Sequence, residues 1–557
     1  MIEAPEFHQG PRLLQGVALI SIYIQGPITM LSIKKNNSQL HLLTIVLVTF
    51  IFYYSSINNF FYGDDFIWLN RAKHLQDNWF GIFAIENRYF TPLTYISFFV
   101  DYQLFGLNAF WYHLQDVIFH SINGLLIYGV AYQTSKNKLT SFLAAIIFVT
   151  SFSTIITVIW PSARTDLIMV FFSLATIITF IRREENKHYF VPVLLYVLAL
   201  CAKGTALVIP VILFMLTSKT QPFKNRIQEV LPYIILNVVY VALLASTNFL
   251  GSVKVVPKQN VVSFANFVRS LPVLIVPERY LSQVGMPVLL ALCAIFLVIM
   301  IILVIRIDDI TIKVGVVLAI FGLLPMLFTK DYVLAGNSAI AINLLSSPSN
   351  RIYLACAGVS LIYAVLAEKA SHIDARLPVR IMPVIVLVLL YVNYSELSLI
   401  NNKWRTGTNA MKLGISTLER HASMLTNGST LLLYNFEGSS GFLNSMINTL
   451  YDLKNIEIHI IWYEYINEFT DIDKSPLRNT SGTNNTTYTK LILNCQDSLN
   501  GDMLTGSVNS KLQDILADYR NLRKTSTEAD ALPVRRKLGE NMSKLRVMLF
   551  SCPFSEE

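Results

Sequence analysis

The chain has 557 residues, of which 53% are hydrophobic and only 14% charged, with a formal net charge of +8 and a mean hydropathy of +0.50. An ordinary soluble domain carries roughly 25% charged residues, so this composition excludes a soluble globular enzyme and points to an integral membrane protein. The basic excess forms no run or aromatic-interleaved face in the polar tail, which argues against a nucleic-acid partner.

Residues 1–39 read as a cytoplasmic N-terminal extension. Its apolar stretch 13–32 is interrupted by Gln25-Gly26-Pro27 and closed by no small-residue cleavage site. The functional unit is expected to begin at Met30. Apolar windows then follow at 40–57, 113–133, 139–159, 165–181, 188–202, 204–218, 230–248, 286–305, 313–329, 351–367 and 380–397. At about 17–20 residues each, such windows cross a roughly 30 Å hydrocarbon layer as helices, giving about eleven spans within 40–397. The windows 188–202 and 204–218 are short, with Lys203 between them, and fit either a re-entrant hairpin or two tilted helices.

With the N-terminus inside, the short inner loops hold 13 Lys and Arg in 40 residues, against 11 in 121 residues outside. The positive-inside rule then places residues 398–557 outside the cytoplasm. The first external loop, 58–112, is long and semi-polar, and Phe66–His74 and Pro92–Phe105 are amphipathic enough to lie along the membrane surface. In the polar tail Ser429–Asn435 and Ile456–Tyr463 predict strands, and 407–425 and 508–525 predict helices, as in a small α/β domain. Segment 474–490 is rich in Ser, Thr and Asn and predicts a loop. Cys201, Cys293 and Cys356 lie in or beside apolar spans, as buried thiols do. Cys495 and Cys552 would share an oxidising exterior and could pair.

Four constellations carry candidate chemistry. Asp64 and Asp65 sit between aromatics just outside the first span. Ionised groups beside hydrocarbon are costly and suggest function, and a partly desolvated carboxylate there suits a general base. A helix N-cap before Phe66 is the structural alternative. His113 and His120, seven apart, share a helix face with Asp116 and Asn123. That spacing is poor for zinc, and interhelical hydrogen bonding fits it better. Arg164 and Asp166 follow Trp160-Pro161, Lys203 stands at an outer turn, and Arg351 and Tyr353 open the tenth window. Three cations at one interface suit a phosphate headgroup, while snorkelling at helix ends gives the same pattern.

These residues resemble a known family. Asp64-Asp65, Arg88 with Thr91-Pro92-Leu93-Thr94, Phe105-Gly106-Leu107-Asn108, Tyr112-His113-Leu114, His120 and Asn123 form one part of the likeness. Ala163-Arg164-Thr165-Asp166-Leu167 and Asn350-Arg351-Ile352-Tyr353-Leu354 with Ala357-Gly358 form the rest. Over about 55–400 the chain looks like the protein O-mannosyltransferase superfamily, and most like bacterial relatives of the tetratricopeptide-linked transmembrane O-mannosyltransferases. The resemblance implies an all-α polytopic GT-C fold in the bacterial inner membrane. It also implies a polyprenyl-phosphate sugar donor and a hydroxyl acceptor on a protein or glycan. Asp64 and Asp65 would then be catalytic, and Arg351, Tyr353, Lys203, Arg164 and Asp166 would bind the donor phosphate. Arg88, His113, His120 and Asn123 would support the acceptor region.

No cofactor is expected, a divalent cation has no ligand set to support it, and no Gly-rich phosphate loop occurs. Residues 150–160 read TSFSTIITVIW where the family has His-Pro…Glu, its Lys-Glu is here Lys203-Gly204, and no repeat array follows. These departures leave the leaving-group side and the acceptor open. Inverting glycosyl transfer on the outer face is the expected function. An O-antigen polymerase or ligase, a lipid or glycan transporter and a structural membrane subunit are the rivals.

Overall fold

The structure, a computed structural model, describes residues 37–86, 89–183, 189–217, 220–249, 264–328, 351–373, 382–420, 430–434, 440–453, 457–461 and 490–494. It is predominantly helical. Helix α1 (Asn37–Tyr53) leads through a short 3-10 turn into α2 (Asp65–His74). A 3-10 turn at Trp79–Phe83 and a two-residue antiparallel pair, β1 (Ile85–Glu86) and β2 (Tyr89–Phe90), precede α3 (Pro92–Phe105). Then come α4 (Ala109–Ser135), α5 (Lys138–Thr150), α6 (Ile155–Ile159), α7 (Arg164–Ile181), α8 (Phe190–Ala202), α9 (Ile209–Leu216) and α10 (Phe223–Phe249). They are followed by α11 (Phe264–Ser270), α12 (Glu278–Leu281), α13 (Met286–Arg306), α14 (Ile310–Phe321), α15 (Tyr353–Ile373) and α16 (Met382–Arg420). Beyond them lie β3 (Thr430–Tyr434), α17 (Ser440–Tyr451), β4 (Glu457–Ile461) and β5 (Lys490–Asn494).

Local chemistry sets several helix starts. Asn108, Asn137 and Asp309 accept hydrogen bonds from the first free backbone N–H groups of α4, α5 and α14, which satisfies donors that no carbonyl within the helix can reach. Lys136 takes a left-handed φ of 57° and ends α4. The predicted amphipathic windows became α2 and α3, with bounds within a residue of those expected.

Five helices among the described residues are long and apolar enough to cross a membrane: Ser38–Ser56, Pro161–Ile181, Phe223–Ala245, Met286–Arg306 and Tyr353–Ala370. A sixth span results if Lys138–Thr150 and Phe152–Ile159, bent by 53°, count as one. Windows 188–202, 204–218 and 313–329 formed helices of 13 residues or fewer. Window 113–133 and the described part of window 380–397, from residue 382, lie in the long helices α4 and α16. Outward faces are apolar, as Val238 and Val239 on α10 and Ile301, Ile302 and Ile305 on α13 illustrate, and this is compatible with a lipid surround.

Polar and charged side chains lie inside, among them Asp65, Asp101, Asp116, His120, Asn123 and Arg164. Helices α14 and α15 pack with close backbone contact. A Cβ at Gly315 would meet the Gly358 carbonyl at 2.8 Å, and one at Gly322 would meet the Ala355 nitrogen at 2.9 Å. Only glycine admits that backbone approach.

In the tail, β3 pairs in parallel with both β4 and β5, in the order β4-β3-β5. Two of these strands were expected and β5 was not. The expected helix 508–525, the extension 1–29, Cys495 and Cys552 lie outside the described residues. Cys293 and Cys356 are buried free thiols, and Cys201 is half-buried. Helix α17 packs on α2, where Lys73 donates to the Thr449 carbonyl at 2.8 Å and pairs with Asp452 at 2.6 Å.

Candidate active site

The acidic pair is presented by a turn. Gly63 has a φ of +62°, a conformation that costs glycine little. Asp64 occupies the N-cap position of α2, but its side chain makes no capping bond and is open to solvent. Asp65, the first helical residue, is fully buried. Its Oδ2 accepts from the Tyr62 N–H at 2.9 Å, and its Oδ1 accepts from the Ser162 N–H at 2.8 Å and the Ser162 hydroxyl at 2.5 Å. Asp65 was expected to cap α2. Instead its carboxylate reaches back to the turn and across to the 3-10 segment Pro161–Ala163, tying the loop to the start of α7.

Electrostatics separate the two carboxyls further. Although Asp64 meets solvent, protein crowds it from most directions. That desolvation raises its pKa, while Arg351 and, less strongly, Arg71 pull it back. Burial pushes Asp65 up to about 7, opposed by the hydrogen bonds from Ser162 and Tyr62.

Arg71 was not singled out by its sequence. It lies two helical turns from Asp64 and so on the same face, a signal the spacing contained. Its guanidinium sits 5.2 Å from the Trp68 ring centre and 5.3 Å from that of Tyr95, within cation–π range. It also hydrogen-bonds Tyr95. Burial lowers the Arg71 pKa, and Tyr95 and Asp64 oppose that shift. Arg351, half-buried just before α15, lies near enough to Asp64 to favour its ionised form.

The other candidates gather at the same end of the bundle, with different roles. The Tyr353 hydroxyl lies 2.7 Å from His120 Nδ1, and His120 Nε2 lies 3.1 Å from the Val149 carbonyl. Since a carbonyl only accepts, Nε2 carries the proton and Tyr353 donates to Nδ1. Asn123 donates to the Tyr353 oxygen at 3.2 Å and to the Leu167 carbonyl at 3.0 Å. This buried network joins α4, α5, α7 and α15, as the hydrogen-bonding reading expected, and both His120 nitrogens are engaged. His113 is enclosed beside the main chain of Phe60 and Ile159. Among the described residues no group of three or more His, Cys, Asp or Glu is arranged to hold a metal.

Lys203, in an extended junction between α8 and the next 3-10 turn, pairs with Asp166. Its charge is therefore already matched. Arg164 departs from expectation. It was assigned to the donor phosphate, yet its side chain is completely enclosed between Asp101 and Asp116. Its Nε meets Asp116 at 2.5 Å, Nη1 meets Asp101, and Nη2 donates to the Tyr112 carbonyl at 3.0 Å. The rings of Phe98 and Tyr112 flank it at 4.8 and 5.7 Å. With two carboxylates on one guanidinium and no open face, Arg164 cross-links α3, α4 and α7 instead of binding a phosphate. Arg88 lies outside the described residues.

A cavity of about 450 Å³ opens at the opposite end of the bundle, beside Gln133, Thr134, Thr217, Asp308 and Lys313. None of the candidate residues lines it.

No protein-family model matches the chain, and no curated protein matches it. The family likeness therefore rests on the quoted residues alone.

Proposed function

We propose that the protein is an inverting glycosyltransferase that moves a sugar from a polyprenyl phosphate to a hydroxyl of a protein or glycan, at the outer face of a membrane that its chain crosses about eleven times. The observation that carries this reading is the open Asp64 carboxylate at one end of an apolar helical bundle, faced by Arg351 and Arg71, while Asp65 is held by three hydrogen bonds.

In the proposed reaction Asp64 takes the proton of the acceptor hydroxyl, and the acceptor oxygen forms a bond to the anomeric carbon. The bond from that carbon to the phosphate oxygen breaks on the opposite face, and its electron pair leaves with polyprenyl phosphate. A carboxylate whose pKa is raised by its surroundings is a stronger base than one in water. The departing phosphate gains charge, which Arg351 and Arg71 stabilise in this reading. Lys203, matched by Asp166, borders the site without adding net charge. Asp65 holds the loop, and the His120–Tyr353–Asn123 network fixes the start of α15, just before which Arg351 lies.

The test is lipid and glycan mass spectrometry on cells lacking the protein, beside cells carrying it. Accumulated polyprenyl-phosphate sugar, with a protein or glycan lacking one sugar, is the expected result. Unchanged lipid-linked sugars and unchanged glycans would refute the reading.

A further inference from the structure

Helix α16 does not stop where its apolar window ends. It runs on to Arg420, and Leu397, Asn401, Trp404, Thr408, Met411 and Ile415 form a buried stripe at alternating three- and four-residue steps along it. Such a stripe is the mark of a helix face committed to a partner. The partner is the segment that leads into the acidic turn. Asn59 donates to the Asn401 oxygen at 2.8 Å, and Asn401 in turn donates to the Ser55 hydroxyl at 3.1 Å. The Lys412 ammonium stands 5.2 Å from the Phe60 ring centre.

Between these contacts lies Trp404, the largest fully buried side chain described. Its ring is 5.5 Å from that of Tyr62 and 6.2 Å from that of Trp160. Both neighbours belong to the segments that hold Asp65. The Tyr62 N–H donates to Asp65 Oδ2, and Ser162, two residues after Trp160, donates to Oδ1. Trp404 thus wedges against both sides of the clamp on Asp65, from a helix about 340 residues further along the chain. Asp64 is separated from Tyr62 only by Gly63, which has little steric preference of its own to hold the turn.

We infer that the part of α16 beyond its apolar window is a strut that sets the Asp64 turn, with Trp404 as its positioning residue. The inference deepens the glycosyl-transfer reading and rests on it where activity is the readout. Its consequence is that the part of α16 beyond residue 397 is built against the proposed catalytic loop. Helix α17 supports the same loop from the α2 side, through Lys73.

Two measurements on the full-length protein in nanodiscs test it. The first is single-turnover transfer by Trp404→Ala and Trp404→Phe. A displacement of the base by about an ångström costs roughly 10²-fold in rate. Trp404→Ala should therefore lose about that factor in kcat with donor KM within about twofold, and Trp404→Phe should recover most of it. The second needs no activity. Asp64→Cys is labelled with a hydrophilic maleimide, alone and in combination with Trp404→Ala or Trp404→Phe, and its modification rate is read by peptide mass spectrometry. The rate should change several-fold with Trp404→Ala and stay near the parent with Trp404→Phe. Unchanged kcat and labelling in folded Trp404→Ala overturn the strut. A changed labelling rate, together with no sugar transfer by the protein that retains Asp64, keeps the strut and sinks the glycosyl-transfer reading. Asn401→Ala, a smaller perturbation of the same face, should move both readouts in the same direction. If Trp404→Ala does not fold, that variant carries the test, and no effect on either readout overturns the proposal.

Discussion

Asp64→Asn removes the proposed proton acceptor and little else, because the Asp64 side chain makes no capping bond and lies open to solvent. A lost general base typically costs roughly 10²–10⁴ in kcat, or about 3–5 kcal/mol at ~1.36 kcal/mol per decade, with unchanged folding. Asp65→Asn perturbs a different quantity. The carboxylate accepts three hydrogen bonds, from Tyr62 on one oxygen and from Ser162 on the other. A carboxamide keeps one acceptor oxygen, so its NH2 must face either the Tyr62 N–H or the Ser162 pair. Losing one hydrogen bond to a charged acceptor costs about 1.5–3 kcal/mol, and it should appear as a lower melting temperature with a smaller loss of turnover. The assay pairs single-turnover transfer with thermal unfolding of the same nanodisc preparations. If Asp65→Asn abolishes turnover without lowering the melting temperature and Asp64→Asn does not, the base is Asp65. If both variants turn over normally, this loop is not catalytic.

Arg351→Ala should raise donor KM and slow the chemical step by about 2–4 kcal/mol, as expected for a lost contact to a leaving group. Arg351→Lys should restore only part, since a point charge replaces a planar fork, and normal kinetics in both would remove Arg351 from the site. Arg164→Leu strands the Asp101 and Asp116 carboxylates in the interior and should cost about 3–5 kcal/mol of stability. A stable variant with weakened donor binding would instead restore Arg164 to phosphate binding. Asp64 acts as a base only when ionised, so activity should hold above its folded pKa and fall as pH drops through it, at a pH above the ordinary carboxylate value. Arg71→Gln removes a cation that favours the ionised form, so that acidic limb should move to higher pH, and by less in Arg71→Lys. A limb that stays in place in folded Arg71→Gln separates Arg71 from Asp64.

The helices at the site were legible where the signal is local. Phe66–His74 and Pro92–Phe105 lie in helices of ten and fourteen residues in the structure, and local sequence alone places such segments. Strand β5 was not legible, because KLILN follows a Ser-, Thr- and Asn-rich run whose composition marks a loop. Spans such as 204–218 and 313–329 were placed correctly as apolar segments, yet their helices are short. Hydropathy measures the solvent a segment prefers, not the length over which its backbone stays helical.

Arg164, Lys203 and Arg351 look alike in sequence, each a cation beside an apolar window. What divides them is the charge each one meets. Arg164 meets carboxylates 48 and 63 positions away, and Lys203 meets one 37 positions away. Arg351 faces a carboxylate that is itself open to solvent. No local pattern encodes those distances. Arg164 is enclosed between two carboxyl groups with its side chain fully buried, so a phosphate approaching it would meet a closed wall. Asp64 differs, since Arg351 and Arg71 both favour its ionised form while the carboxyl itself stays open to solvent. Proximity to Arg351 and Arg71 is thus what distinguishes Asp64 within the acidic pair, and Arg71 is held over Trp68 and Tyr95.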